Sequence, residues 1–167
     1  YNESGNKTGG TRIDPSGARD PNGDPRGQLF INPFEIDPSA PNVMYYSAGD
    51  SLWRNSNLEG IDLGSNDPTG TNWTELTGAR VAESDNITAV TASRSNDPHV
   101  LYYGTDQGKV YRLPDANTVS ASKSPQNVTG FGFPSDEDPY VSDIAIHPTN
   151  SDEVIVTFSN YGVTSVF

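Results

Sequence analysis

A short pattern of strand, turn and strand recurs three times in this chain, at a spacing of about 55 residues. Val-Leu-Tyr-Tyr at 100–103 matches Val-Met-Tyr-Tyr at 43–46, at an offset of 57 residues. Aligning Val100 with Val154 gives a second offset of 54 residues. Fixed periods in this range indicate a solenoid, a propeller or an array, and units made of short strands favour the propeller.

Turn residues fix where the strands end in the clearest copy, Ile87 to Leu113. Pro98 has a fixed φ and no N–H to donate, so it is expected between strands rather than within one. Gly108 supplies the positive φ that a tight hairpin turn requires. This copy is therefore predicted to form three short antiparallel strands.

The sequence as a whole predicts an all-β fold: a β-propeller segment of about three four-stranded antiparallel blades, forming an incomplete ring. Residues 1–28 are rich in Gly, Asp and Pro and are predicted to form an N-terminal meander outside the core. The partial propeller covers 29–167, and its units are expected at about 29–80, 81–135 and a truncated 136–167. Segments between the copies, such as 72–76 and 127–129, supply the fourth strands.

Three units cannot close a ring, because closed propellers typically carry about four to eight blades. The sequence also stops within an apolar run at Phe167, which predicts an unfinished third blade with an exposed edge. We therefore expect these residues to be one piece of a longer propeller. The expected partners are the remaining blades, in the same protein or in another chain.

Composition excludes several classes of function. Only 32% of the residues are hydrophobic, but eight Tyr, six Phe and two Trp indicate a buried core rather than disorder. The net charge of −12 repels phosphate backbones, so nucleic-acid binding is not expected. No apolar run is long enough for membrane insertion, and the lack of Cys excludes disulfides and thiol chemistry.

The segment from Ser65 to Trp73 carries a motif of its own. Its residues Ser65, Asp67, Gly70 and Trp73 follow the pattern S-x-D-x-G-x-T-W with one extra residue in each half. With the Pro-containing turns at 37–38, 97–98 and 147–148, this segment resembles the Asp-box (BNR) β-propellers. That superfamily includes sialidase-like, sortilin-like and xyloglucanase-like propellers, and the resemblance covers about residues 29–167.

The resemblance implies a structural role for the motif, in which the Asp accepts backbone N–H bonds across a hairpin and the Trp packs beneath. In its general sequence character, the chain most resembles large secreted bacterial propeller proteins. This resemblance implies a secreted or cell-surface location. A sortilin-like receptor module would be expected to carry disulfides, and this chain has no Cys. A sialidase would need an Arg triad, and no Arg here stands in a motif that ties it to a site.

Catalysis is considered at Asp106. The hairpin at 105–112 resembles the one that carries a catalytic Asp in xyloglucanase-type propellers, and glycosidases need two facing carboxyl groups. An ordinary Asp-x-Gly turn is the favoured alternative, because such turns are common. The primary prediction is therefore a non-catalytic extracellular segment for scaffolding, adhesion or ligand binding. The alternative is part of a glycoside hydrolase that acts on polysaccharide.

Calcium is the one cofactor that the sequence suggests. Asp20, Asn22 and Asp24 match the opening of a calcium loop, in which alternate residues point oxygens inward. Pro25 and Ile31 stand where that loop requires Gly and Glu, so a plain polar turn is the favoured alternative. Zinc is not expected, because neither His99 nor His147 has a second ligand at metal spacing.

Some residues are expected to serve the fold or to carry modification. Arg54 and Arg112 occupy equivalent places, which favours a repeated structural role. In each Tyr-Tyr pair, one ring is expected in the core and the other at a sheet interface, where an exposed ring could also stack on a sugar. The carbohydrate acceptor sequence occurs five times, at Asn2, Asn6, Asn72, Asn86 and Asn127.

Overall fold

A computed structural model of the protein describes residues 9–18, 27–94, 97–134, 139–159, 162 and 164–167. Within these residues the chain is all-β, as predicted, and consists of antiparallel sheets of which none closes on itself. Two sheets have four strands each, and in both the strands follow one another in chain order as neighbours. A third sheet has two strands.

The strands are short and are joined by turns. The first sheet contains β1 (Phe34–Ile36), β2 (Met44–Ala48), β3 (Ser51–Asn55) and β4 (Trp73–Glu75). The second contains β5 (Ile87–Ala92), β6 (Leu101–Thr105), β7 (Val110–Leu113) and β8 (Gln126–Asn127). The third contains β9 (Val141–His147) and β10 (Asn150–Phe158). Three single turns of 3₁₀-helix complete the elements, at Ser16–Ala18, Leu58–Gly60 and Thr77–Ala79.

A further segment, 164–167, pairs with β10 in the third sheet. The N–H of Val156 donates to the carbonyl of Phe167 at 2.9 Å, and the N–H of Phe167 donates back at 3.0 Å. Val166 lies opposite Thr157 in an antiparallel bridge. The start of a third strand near the end of the sequence is therefore present, as the repeat predicts.

The sheets stack face to face, and alternate residues of each strand point to opposite sides. Tyr45 and Leu52 of the first sheet pack against Leu101, Tyr103 and Leu113 of the second. We call the side of each sheet that meets the next sheet its forward face, and the opposite side its rear face. Tyr45 and Leu52 thus lie on the forward face of the first sheet, and Tyr103 lies on the rear face of the second.

The second interface repeats this arrangement. Tyr102 and Val110, on the forward face of the second sheet, pack against Ile144, Val156 and Phe158 of the third. The second sheet is therefore buried on both faces, with Tyr102 and Tyr103 on opposite sides. The sequence predicts one core ring and one interface ring in each Tyr pair. In β6 the two terms describe the same place, because both tyrosines are buried between sheets.

The first strands of the sheets are neighbours, since β5 packs against β1 on one side and β9 on the other. The rear face of the first sheet is partly covered by residues 11–18. The indole Nε1 of Trp73 donates to the carbonyl of Ile13 at 2.8 Å, and the ring of Trp53 lies against Gly17. This part of the N-terminal region therefore covers a sheet whose rear side has no preceding sheet among the described residues.

The register of the third sheet differs by one residue from the sequence alignment. Val156 lies on the rear face and pairs with Phe167, as Tyr103 lies on the rear face and pairs with Tyr111. Ile155 is therefore the structural counterpart of Tyr102. The offset of 54 was wrong by one, because β10 has a register shift between Asn150 and Val154 that the sequence pattern does not show.

Gly104 allows the second and third sheets to approach each other. A Cβ at this position would lie 2.7 Å from the Cβ of Val141, on the first strand of the third sheet. We predict that Gly104→Ala lowers the free energy of unfolding by about 1–3 kcal/mol, because the added methyl separates the two sheets. Gly70→Ala is the control, since its new Cβ would come no closer than 3.4 Å to Ser16 Oγ. Urea unfolding of both variants measures the difference, and equal stabilities would contradict the close-packed interface.

Candidate functional site

The carboxylate of Asp37 is the most buried acidic group at the first interface, with no exposed surface. Its Oδ1 accepts hydrogen bonds from the N–H groups of Ser39 at 2.9 Å and Ala40 at 3.1 Å. Its Oδ2 accepts from the hydroxyl of Tyr45 at 2.9 Å and lies 2.9 Å from Nδ1 of His99. Asp37 therefore holds its own turn with one oxygen and joins the first sheet to the second with the other.

His99 is positioned for this contact by an unusual backbone. It lies in the connection between β5 and β6 and has a φ of 65°, a conformation that side chains other than Gly seldom adopt. The facing carboxylate favours the tautomer with its proton on Nδ1. Burial, followed by the charge of Asp37, raises the pKa of Tyr45 well above its ordinary value. The Tyr45 hydroxyl thus remains a donor.

The second interface uses Asp97 in a similar way. Its Oδ2 accepts from the hydroxyl of Ser151 at 3.2 Å, across to the third sheet. The hydroxyl of Tyr102 donates to the carbonyl of Ser151 at 2.9 Å. The turn that follows the first strand therefore supplies a carboxylate to the next sheet in both cases.

A cross-strand pair of Tyr and Arg recurs at both interfaces. Tyr45 lies opposite Arg54, and Tyr102 lies opposite Arg112. Arg54 Nη1 donates to the carbonyls of Ala116 and Val119, each at 2.9 Å, in the loop between β7 and β8 of the second sheet. Burial lowers the pKa of Arg54.

Arg112 repeats this reach toward the third sheet. Its Nη2 donates to Asp152 at 3.0 Å and to Asp97 at 3.4 Å, and its Nε donates to the hydroxyl of Tyr102 at 3.1 Å. The two guanidinium groups therefore share one structural role, as their equivalent places in the sequence predict.

A groove of about 330 Å³ lies where the first strands of the three sheets meet. Glu35 of β1, Thr91 of β5 and Ala145 of β9 line it, together with Arg94. Burial raises the pKa of Glu35, while the positive charge of Arg94 opposes this shift. A carboxyl group and a guanidinium on one wall can donate to and accept from a polar ligand.

The sequence analysis did not single out Glu35 or Arg94. The available signal was the position of Glu35 between Phe34 and Ile36, as a lone charge in an apolar strand. Its alignment with Thr91 and Ala145 depends on contacts between strands far apart in sequence. That alignment could not be read from local pattern.

Asp106, the catalytic candidate of the glycoside hydrolase alternative, is bonded on both carboxylate oxygens. It accepts from the N–H of Asn86 at 2.9 Å and from the side-chain amide of Asn86 at 2.7 Å. Beside it, Lys109 Nζ lies 2.8 Å from Asp85. These contacts join the β6–β7 turn to the start of β5, and a glycan on Asn86 would replace one of the two hydrogens of that side-chain amide.

The residues of the predicted Asp-box lie between β3 and β4. Ser65 Oγ accepts from the N–H of Asp67 at 3.1 Å, and the carbonyl of Gly70 accepts from the N–H of Trp73 at 3.3 Å. The segment also bonds to the N-terminal region, since the N–H of Arg12 donates to the carbonyl of Ser65 at 2.8 Å. Its main-chain partner is therefore residues 11–16, and Asp67 itself is exposed.

The other predicted sites divide into described and undescribed residues. Asp20, Asn22 and Asp24 of the calcium prediction, with Asn2 and Asn6, lie outside the described residues. Asn72 and Asn127 are exposed; Asn72 Nδ2 donates to the carbonyl of Asn57 at 2.8 Å. Among the residues that the structure describes, no group of three or more His, Asp or Glu could hold a metal ion.

A scan against protein-family models, a search of curated proteins and a search of solved structures each find no match to this chain. In the described ranges, the structure also has no helix of the length and apolar character needed to cross a bilayer.

Replacing Asp37 tests the buried inter-sheet link. We predict that Asp37→Asn lowers the free energy of unfolding by about 2–4 kcal/mol, because the amide has one acceptor oxygen and cannot serve both the turn N–H groups and the pair Tyr45 and His99. Asp67→Asn removes the same charge from an exposed site and should change stability by no more than about 0.5 kcal/mol. Urea unfolding at neutral pH compares the two variants. Equal losses would show that net charge, rather than the buried acceptor, sets the stability.

Proposed function

We propose that this chain is a non-catalytic, extracellular β-propeller segment that serves scaffolding, adhesion or ligand binding. The observation that carries the proposal is the repeated Tyr–Arg pair on the forward faces of the first and second sheets. Arg54 and Arg112 both extend from one sheet to acceptors on the next. Side chains committed to holding sheets together are what a scaffold requires.

The arrangement of the sheets supports the propeller part of the proposal. Four-stranded antiparallel sheets with strands in chain order, stacked face to face with first strands adjacent, are typical of propeller blades. The Asp-box resemblance of Ser65 to Trp73 supports the same architecture and an extracellular location. The three first strands would then surround the axis, and the groove beside Glu35 would open toward it.

That groove is the proposed ligand site. Glu35 and Arg94 offer one acceptor and one donor group beside the apolar side chains of Ile144 and Ile146. Such a mixture suits a small neutral polar ligand such as a sugar, whose hydroxyls both donate and accept. Calcium at Asp20, Asn22 and Asp24 remains part of the proposal for the N-terminal meander.

Glycoside hydrolysis is the second candidate, and one observation favours it. A carboxyl whose pKa is raised by burial is suited to act as a general acid, and Glu35 is such a group on the wall of a groove. Asp106 is less suited, because both of its oxygens already accept hydrogen bonds from Asn86.

Hydrolysis separates the two candidates directly. We predict that the chain, incubated with soluble xyloglucan, β-glucan and xylan, releases no reducing ends above the buffer control. Release that disappears in both Glu35→Gln and Asp106→Ala would establish the hydrolase instead. Release that persists in both variants would be assigned to a contaminating enzyme, and the chain would then be repurified and retested.

The scaffold role predicts that each guanidinium stabilises only its own interface. Arg54→Met should increase amide exchange about tenfold at Ala116 and Val119, because their loop loses its donor. Exchange in β10 should stay unchanged. Arg112→Met should show the opposite pattern, so each variant is the control for the other. Hydrogen–deuterium exchange resolved by segment measures both, and uniform acceleration across the chain in either variant would contradict separate inter-sheet links.

A further inference from the structure

We infer that the forward face of the third sheet is a docking surface for one further four-stranded antiparallel sheet of the same repeat. This inference rests on the proposed scaffold function and names the partner of that scaffold. Its basis is one position followed through three sheets: Tyr45 and Tyr102 are 0% and 3% exposed, whereas their counterpart Ile155 is 55% exposed.

A second position shows the same progression. Leu52 pairs with Ser47, Val110 pairs with Gly104, and Val166 pairs with Thr157, so the three residues correspond. Leu52 and Val110 are 0% and 1% exposed, whereas Val166 is 59% exposed. In the first two sheets the next sheet covers these side chains. The third sheet keeps the apolar character of the face without that cover.

A groove of about 670 Å³ runs along this region, and Ala145, His147, Glu153 and Ile155 contribute to its lining. Alanine and isoleucine lie directly opposite each other there, on β9 and β10. The corresponding region of the second sheet receives the side chains of the third. The groove is therefore the place where side chains from the next rear face would insert.

The rear face of the first sheet argues against a second copy of this chain as the occupant. At the first interface, the second sheet presents an apolar rear face directly to the first sheet, with Leu101, Tyr103 and Leu113. On the first sheet, residues 11–18 already cover the third and fourth strands at Trp53 and Trp73. A further repeat with an uncovered rear face fits the open surface better than another copy does.

His147 adds a polar requirement to the partner. Asp37 and Asp97 stand in the turns after the first strands and accept from the next sheet, whereas the first strand of the third sheet ends in His147, directly before its turn. Nδ1 of His147 lies 3.4 Å from the N–H of Thr149 and 3.3 Å from its hydroxyl, so Nε2 is the ring nitrogen that is left to donate to the partner. The polarity of the link is thus reversed, and the docking sheet should supply a carboxylate or carbonyl acceptor.

The test uses the lack of cysteine, which makes Ile155→Cys a unique reporter of solvent exposure. The probe is a second copy of residues 81–135, fused after Phe167 through a short Gly/Ser linker. We expect maleimide labelling of this reporter thiol to slow at least about tenfold in the fusion, because a buried thiol reacts only when the interface opens. A His99→Asp change in the added copy should slow labelling further, through the acceptor that it offers His147.

Two controls accompany the reporter. Leu63→Cys replaces another exposed aliphatic residue, 92% accessible, away from this face, and its labelling rate should not change. Fusing the same copy before Tyr1 should leave the reporter thiol of Ile155→Cys as reactive as in the unfused chain.

Unchanged labelling of the reporter thiol in the C-terminal fusion would overturn the inference, whether or not the added copy folds, because the face would then have failed to accept it. Labelling of the reporter thiol that slows with concentration in the unfused chain would also overturn it, by identifying a second copy as the occupant. Neither result depends on activity toward polysaccharide, so the proposed function can fail or stand separately.

Discussion

Each sheet in this protein has to be covered on both faces, and the rest of the structure follows from that constraint. A few strands of two to nine residues bury too little apolar surface to be stable alone. The second sheet solves this by lying between two others, with Tyr103 on one side and Tyr102 on the other. Gly104 is part of the same solution, because only a residue without Cβ lets Val141 come so close.

Polar groups then fix how the apolar faces meet. Stacked apolar sheets can slide or rotate with little change in buried area, whereas a hydrogen bond to a buried carboxylate is satisfied in one arrangement only. Asp37 accepts from two groups in its own turn and from Tyr45 and His99, so the first interface has one favourable geometry. Removing a partner leaves a charge without solvent, which explains why such a link is worth more for alignment than for net stability.

Local features of the fold could be predicted from the sequence, and features that join distant segments could not. Gly108 has the predicted positive φ of 69°, because a tight turn imposes it whatever the surroundings. Asp37 and His99 are 62 residues apart, and the sequence of neither turn indicates which residue it contacts.

The same division explains the misjudged positions. The alignment offset of the third copy was off by one because a bulge leaves the hydrophobic pattern intact while it shifts the pairing. The bonds of Asp106 to Asn86 were not foreseen, because they come from a strand start twenty residues earlier and the hairpin sequence alone does not show them. Glu35 was overlooked because a groove shared by three strands has no signature in any one of them.

The distribution of charge bears on what the groove can bind. The sequence has ten basic and 22 acidic residues, and most of the described arginines form contacts that hold the fold together. Arg54 and Arg112 join sheets, and Arg80 pairs with Glu75 and Asp50. Arg94 differs in that it lines a groove, where Glu35 offsets its charge. The net negative charge of the protein would repel an anionic ligand, and Glu35 partly neutralises Arg94, the cation that lines the groove. Electrostatics therefore favours a neutral ligand at this site.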